Sequence, residues 1–551
     1  MTPPAERRSG EDPGGLPLGD EVGAEAPPPV SPEPVSSSRS RASARVAAGI
    51  LSSRLAGLIR ERIFAHFFGA SPFADAWRAA LRMPNVLQNL LGEGSLSASF
   101  IPIYSELLEE KRDREAARFA GAVFGLLTVT AGLLAVLGIL LAPWLVAVFF
   151  AGFDPARQEL TVTLVRILFP MTALLVISAW ALGILNSHRR FFLPYVAPVA
   201  WNAAMIAAMV LGGLQWGLDG EALARTLAWG ALVGGGLQLL VQLPTALRLL
   251  GEFRPSLSLS VHGVREAIAN FIPVVAARGA VNLSGWLDYA LAAFLAVGAV
   301  ATLGYAQTLY LLPIALFGMS VAASELPELS RQRGSELRDR LGRDVERASV
   351  RVAYFLVPST LGYLFLGDVV AAAVFQTGAF GTAEVLVTWG VLAAYALGMP
   401  ASAQSRVLSS AFYALRDTRT PARIAYLRVV LSLGVGAMLM FPMDRVEVGP
   451  LRLGAAGLAL GATLAAWTEL LLLRRALGRD LGPLGLPGGL LVRLLAAGAG
   501  ATAVGVGIHL ALPDLHPWII ALGTLIPFAG VYLATTLALG VGQPLRSLLG
   551  R

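Results

Sequence analysis

Apolar runs of about twenty residues or more recur from position 43 almost to the C-terminus, and the polar residues between them are gathered into short clusters. A span of that length is what one α-helix needs to cross a hydrocarbon layer of roughly 30 Å. A window of about 19 residues places fourteen such spans. They run approximately over 43–68, 73–108, 117–150, 159–186, 191–214, 222–249, 264–296, 299–329, 349–375, 384–414, 420–441, 453–473, 489–511 and 517–543. The second is the weakest by hydropathy. Strands of an outer-membrane barrel would instead show short alternating segments, and a soluble protein would need charged helix faces throughout. The pattern therefore predicts an all-α, polytopic membrane protein with about fourteen transmembrane helices.

The clusters between the spans test this count. With the N-terminus inside, the inner segments include EEKRDREAAR, NSHRR, RQRGSELRDRLGRDVERASVR, LRDTRTPAR and LRRALGRD, and the outer ones include AGFDPARQE, QWGLDGEALAR, FQTGAFGTAE, FPMDRVEVG and LPDLHP. About thirty Lys/Arg fall inside and about four outside, as the positive-inside rule requires. Both termini are then expected to be cytoplasmic. The net charge of +7 reports this orientation and contact with anionic lipid, so nucleic acid is not called for as a partner. Residues 1–42, rich in Pro, Gly, Ser and Glu, carry no apolar h-region and are expected to form a disordered cytoplasmic tail.

Charges inside the spans carry the functional signal, because a charge at mid-membrane costs on the order of 3 kcal/mol even on the lenient insertion scale. The first span holds Arg54, Arg60, Glu61 and Arg62. Helical geometry does not aim all three arginines at one ligand; Arg54 and Arg60 are the expected anion contacts, Glu61 their counter-charge, and Arg62 an interface residue. In the second span Asp75, Arg78, Arg82, Asn89 and Glu93 fall within about 60° of one line, a polar stripe that implies a water-filled cavity. The seventh span adds Arg278 and Asp288, and the tenth adds Arg406. Two plainer readings stand beside this one: Asp75 and Arg78 as snorkelling interface residues, and the arginines as internal salt bridges. The excess of arginine favours an anionic guest, since guanidinium binds phosphate bidentately.

SLSASFIPIYS (Ser95 to Ser105) and SVAASELPELS (Ser320 to Ser330) share Ser, Ala, Ser, Pro and Ser at matching offsets, six spans apart. An even separation predicts two six-helix lobes in the same orientation, with two further helices at the end. The boundaries follow as a tail at 1–42, an N-lobe at 43–250, a C-lobe at 251–478 and a terminal pair at 479–551. With no cysteine, five scattered histidines, no strand-borne phosphate loop and no nucleophile beside a base, the chain is expected to be a transporter and not an enzyme. No metal site and no cofactor are expected, with a coupling cation left open.

SSRLAGLIRERIFAHFFGAS, ADAW and MPNVLQNLLGEGSLSASFIPIYSE resemble the N-terminal signature of the MurJ (MviN) lipid II flippases of the multidrug/oligosaccharidyl-lipid/polysaccharide exporter superfamily. GILNSHRRFFLPYVAPVAWN, FQTGAFGTAE and AFYALRDTRTPARIA resemble its later motifs, over roughly 45–480. The resemblance implies a bacterial inner-membrane location, two lobes around a cationic cavity and a lipid-tail groove in 479–551. It further implies alternating-access transfer of undecaprenyl-pyrophosphate-linked peptidoglycan precursor to the periplasmic leaflet. Arg54, Arg60 and Asp75 match functional positions of that family, and Arg406 stands where Lys is common. Gln88 and Asn89 stand where the family often has Arg-Arg, and Gln307 and Thr308 where it has Asp-Arg; Arg82 or Arg278 would have to substitute. The expected partners are an anionic lipid-linked substrate, membrane lipids and peptidoglycan synthases, with the chain a monomer. A flippase for another lipid-linked glycan, a cation-coupled exporter of the same superfamily and a non-transporting scaffold are the alternatives.

Overall fold

The computed structural model describes residues 37–315, 335–482, 485–486, 488–512 and 515–542, with the side chains of 37–48, 93, 276–284, 335–339 and 480 left aside. Val46–Arg551 forms one compact unit that holds every contact discussed below, and the described part of Met1–Arg45 is the beginning of the first helix. The helices are α1 (Ser37–Phe68), α2 (Pro72–Leu91), α3 (Glu93–Ser99), α4 (Ile101–Glu109), α5 (Asp113–Phe149), α6 (Pro155–Ser187), α7 (Phe192–Val210), α8 (Gly220–Leu250) and α9 (Val264–Ala292). They continue as α10 (Ala299–Pro313), α11 (Ser335–Phe375), α12 (Thr382–Ala396), α13 (Met399–Ala414), α14 (Arg419–Met443), α15 (Gly454–Leu481), α16 (Gly488–Ala511) and α17 (Pro517–Ala538). Among the described residues the only paired strands are two-residue pieces, Glu447–Val448 and Leu451–Arg452, in the α14–α15 turn.

All fourteen expected spans contain helix, and ten segments among the described residues are long and apolar enough to cross a membrane. The chain is a multi-pass, all-α membrane protein. Its outer faces fit that setting: on α5, Leu133, Val136, Leu140, Trp144 and Val148 are exposed, an apolar stripe that lipid covers and water would not tolerate.

Two spans are not the single helices expected. Helix α2 ends at Gly92, whose backbone leaves the helical region (φ −85°, ψ −150°), and a second break at Phe100 separates α3 from α4, which begins with Pro102 in its first turn. Hydropathy averages across such breaks. The tenth span is likewise divided into α12 and α13 at Leu397–Gly398, with Pro400 opening the second piece. By contrast Pro84 stays within α2, where the helix continues through it. Local signals start the elements that matter most here. Ser71 Oγ accepts from Ala74 N at the head of α2, and Asp154 accepts from Arg157 N at 3.0 Å at the head of α6.

Glycines set the closest helix approaches. Gly230 and Gly234 of α8 lie where an added Cβ would stand 2.4 Å from Ala208 Cβ and 2.8 Å from the Trp201 carbonyl of α7, which accounts for the GALVGGGLQ run as packing. Gly121 and Gly125 of α5 do the same for the segment 251–263 that joins α8 to α9. An added Cβ there would meet the Arg254 and Ser256 carbonyls at 2.2 Å each, and Ser256 N donates to Gly121 O at 3.1 Å. The connecting segment is thereby clipped along the start of α5, with Phe253 edge-on to Phe124. At the chain's end, α16 and α17 pack on each other and on α11; Tyr532 donates to Tyr354 O at 2.6 Å, and His509 stands 3.2 Å from Asp368. The second copy of the internal repeat, 320–330, lies outside the described residues.

Candidate functional site

A cavity of about 720 Å³ opens among α1, α2, α3, α6, α7 and α8, at the end of the bundle where α1 begins. Arg54, Gln88 and Asn89 line it from α1 and α2, and Ser178, Gln238 and Gln242 from α6 and α8. Arg54 is half-buried, and its guanidinium makes no hydrogen bond or ion pair with a described residue. Among the described side chains of the lining Arg54 is the charged one, and Glu93, between the lining residues Gly92 and Gly94, lies outside them. Ser178 organises the far wall: its hydroxyl accepts from Gln242 Nε2 at 2.7 Å and from Gln238 Nε2 at 3.3 Å.

One and a half turns further along α1 the circumstances change. Arg60 donates to Asn202 Oδ1 of α7 at 3.1 Å and to Glu61 at 2.5 Å, and it lies over the Trp201 ring. Glu61 is 5% exposed and also takes Arg78 of α2. The Arg78 guanidinium is held between the rings of Phe64 and Tyr305, at 5.0 and 4.9 Å, and the missing side chain of Gly304 leaves room for it. Both partners of this buried ion pair are therefore compensated, the condition under which such a pair is tolerated.

The end where α1 finishes is closed by contacts between early and late helices. Asp75 is fully buried; its carboxylate accepts from the main-chain N–H groups of Gly298 (2.7 Å) and Ala301 (2.8 Å), at the unsatisfied N-terminus of α10, and from Arg157 Nη1 at 3.3 Å. Tyr305 donates to Gly69 O at 2.9 Å, and Ala379 N to His66 O at 2.8 Å. Arg62 donates to Ala373 O and Val374 O, both at 2.8 Å, and lies over Trp518. The sequence reading left Arg62 at the lipid interface; it instead caps the last carbonyls of α11, a choice made by a helix 311 residues away.

The expected site residues are thus distributed. Arg54 and Asn89 share the cavity, and Arg60 lies beyond it among its own partners. Asp75 faces α10, and Arg82 reaches from α2 to the Tyr289 ring at 4.4 Å and to Gly285 O and Gln307 Oε1 at 3.5 Å each. Arg406 is exposed on α13 and does not line the cavity. The side chains of Glu93 and Arg278 lie outside the described residues. The polar stripe of α2 accordingly does two jobs: its first half makes contacts to α9 and α10, and its last turn, Gln88 and Asn89, faces the cavity. Sequence reasoning missed Ser178, Gln238, Gln242 and Arg157. The two glutamines had a signal, an i, i+4 polar pair within an apolar run. Among the described residues no group of three His, Asp or Glu is placed to hold a metal ion.

The fold is a helical membrane bundle with a polar cavity at one end and hydrogen-bonded contacts at the other. A solved "inward-facing conformation of a multidrug resistance MATE family transporter of the MOP superfamily" shares the fold (TM-score 0.62, 14% identity, 80% of this chain and 98% of that one). So does a structure described as "Lipid II flippase MurJ, inward closed conformation" (TM-score 0.72, 22% identity, 92% and 99%). The profile of the family "Lipid II flippase MurJ" matches residues 64–528. The "Probable lipid II flippase MurJ" of Rhizobium meliloti (strain 1021) is 32% identical over 80% of this chain and 81% of its own length. The "Lipid II flippase MurJ" of Burkholderia cenocepacia is 32% identical over 79% and 82%. The chain belongs to the lipid II flippase MurJ family.

Proposed function

We propose that the chain moves lipid II from the cytoplasmic to the periplasmic leaflet of the bacterial inner membrane by alternating access, acting as a monomer with both termini in the cytoplasm. The observation that carries this reading is the asymmetry of the two ends: a cavity with an uncommitted arginine at one, a hydrogen-bonded closure between early and late helices at the other. The positive-inside loops support a cytoplasmic position for the cavity end, and on this reading the cavity receives substrate from that side. The 43–250 and 251–478 segments then act as two lobes rocking about the substrate, and 479–551 flanks the polyprenyl tail.

Arg54 meets the pyrophosphate first, since its guanidinium is the one among the described side chains of the cavity lining. Arg60 and the exposed Arg406 take up phosphate contacts as the lobes close, and Arg82 links α2 to α9 and α10 during the movement. Opening the far end requires breaking the Asp75 contacts to α10, so substrate binding must favour the other state by more than that closure is worth. An inside-negative potential assists, by about 2.3 kcal/mol per 100 mV for each negative charge carried outward. A flippase for a different lipid-linked glycan is the alternative that the following test separates from this reading.

The test is replacement: the host's own flippase is depleted with this gene as the sole substitute, and lipid II at the outer face is scored. Growth with exposed lipid II, lost in Arg54→Ala, is expected. Correct insertion without lipid II exposure would favour the other glycan, and full activity of both Arg54→Ala and Arg60→Ala would remove the proposed phosphate contacts.

A further inference from the structure

The cavity lining is chemically lopsided, and this points to a division of labour within the head group. Arg54 on α1 is the one charged residue among its described side chains, whereas the walls formed by α2, α6 and α8 present carboxamides and hydroxyls. A pyrophosphate calls for cations; carboxamides present both donors and acceptors and match hydroxyl and acetamido groups. Ser178 holds the amide nitrogens of Gln238 and Gln242, which turns their orientation from free to fixed. The consequence is an unmatched acceptor: Gln242 Oε1 is buried and has no hydrogen-bond partner. A buried carbonyl left so costs roughly 1–3 kcal/mol, which a ligand donor recovers where occupation of the cavity that Gln242 lines uncovers it. The volume of about 720 Å³ lies within the roughly 300–1,000 Å³ that encloses ligands of disaccharide size.

We propose that the α6–α8 wall of this cavity is the subsite for the uncharged, N-acetylated saccharide of the lipid-linked substrate, read by Gln238 and Gln242 in the orientation Ser178 sets, with Gln88 opposite. Arg54 takes the adjoining phosphate at the edge of the same cavity. Gln88 and Asn89 on α2 extend the saccharide-reading surface and leave the anion to the α1 side. This inference rests on the flippase reading, and it makes the two glutamines of α8 specificity-determining residues.

Dissociation constants of purified protein in detergent micelles for lipid II and for undecaprenyl pyrophosphate, which lacks the saccharide, provide the test. For Gln238→Leu/Gln242→Leu we expect about tenfold weaker lipid II binding and less than about twofold change for the sugarless lipid, which also reports that the variant is folded. Ser178→Ala, which frees the amides while keeping them, should shift lipid II in the same direction by about threefold. Arg54→Ala should weaken both lipids. Equal losses for both lipids in the glutamine variant, or unchanged lipid II binding, would overturn the subsite. Wild-type protein that binds the sugarless lipid but not lipid II would also overturn it while leaving a lipid-pyrophosphate carrier standing, and protein that binds neither would overturn both readings.

Discussion

Arg54 and Glu61 lie two turns apart on one face of α1, yet one borders an open cavity and the other is sealed between two arginines. The same contrast separates the two ends of the molecule. Where α1 begins, polar side chains face space; where it finishes, Asp75, Arg62, Arg78 and Arg157 all have protein partners. The difference teaches that charge within a span does not by itself mark a ligand site. What marks it is a charge whose partners the fold does not supply.

The largest expected effect comes from attacking the closed end. Asp75→Ala leaves Arg157 only the exposed Asp154 as counter-charge and the start of α10 uncapped, and should lower stability by about 2–4 kcal/mol. Unfolding in detergent measures it; a change under about 1 kcal/mol would mean the closure does not depend on this carboxylate. Next is Gly125→Val, which forces side-chain atoms into the Ser256 carbonyl and should cost about 1–3 kcal/mol by displacing the clipped segment. Increased proteolysis within 251–263 is the readout.

Arg54→Ala sharpens the comparison from the other side. Stability should stay within about 0.5 kcal/mol, while translocation falls at least about tenfold, equivalent to about 1.4 kcal/mol. A loss of stability matching that of Asp75→Ala would make the two ends equivalent and erase the contrast. The smallest effect concerns His188, in the loop after α6, whose Nε2 lies 3.0 Å from Tyr104 Oη. Partial burial, aided by Arg190 and opposed by Asp113, holds its imidazolium below the ordinary value near 6.5. The unfolded chain then takes up the proton first on acidification, so this contribution is intact above that value and declines as pH falls below it. A shallow loss of stability from pH 7 to 5, flattened in His188→Gln, is expected.

Much of the architecture was legible because hydrophobic spans are long-range only in their packing, not in their composition. Ten of the fourteen stretches stand among the described residues as helices long and apolar enough to cross a membrane. The breaks at Gly92, Phe100 and Gly398 were not legible, since a helix interrupted within a membrane keeps its average hydropathy. At the site, Arg54 was found by its cost. The distinction between Arg54 and Arg60 was not, because the latter's partners, Asn202 and Trp201, arrive from α7, some 140 residues on. Likewise the sequence displayed Asp75 as a charge in a stripe and gave no sign that α10 would begin against it. Gln238 and Gln242 were overlooked because neutral amides raise no alarm in a search for charges.

The way Asp75 is received has one more consequence. Its partners on α10 are two main-chain N–H groups, at Gly298 and Ala301, so no side chain there is shaped to complement it. Correlated substitution between alignment columns, which depends on one side chain compensating another, would be blind to that half of the contact, and a suppressor screen would find no reciprocal allele at either position. A connection between distant parts of the chain can thus mark one residue by its charge while its counterpart answers only through the backbone; Gly298 is held to glycine by its φ of +89° and by the nearby Ala70 carbonyl, not by the carboxylate.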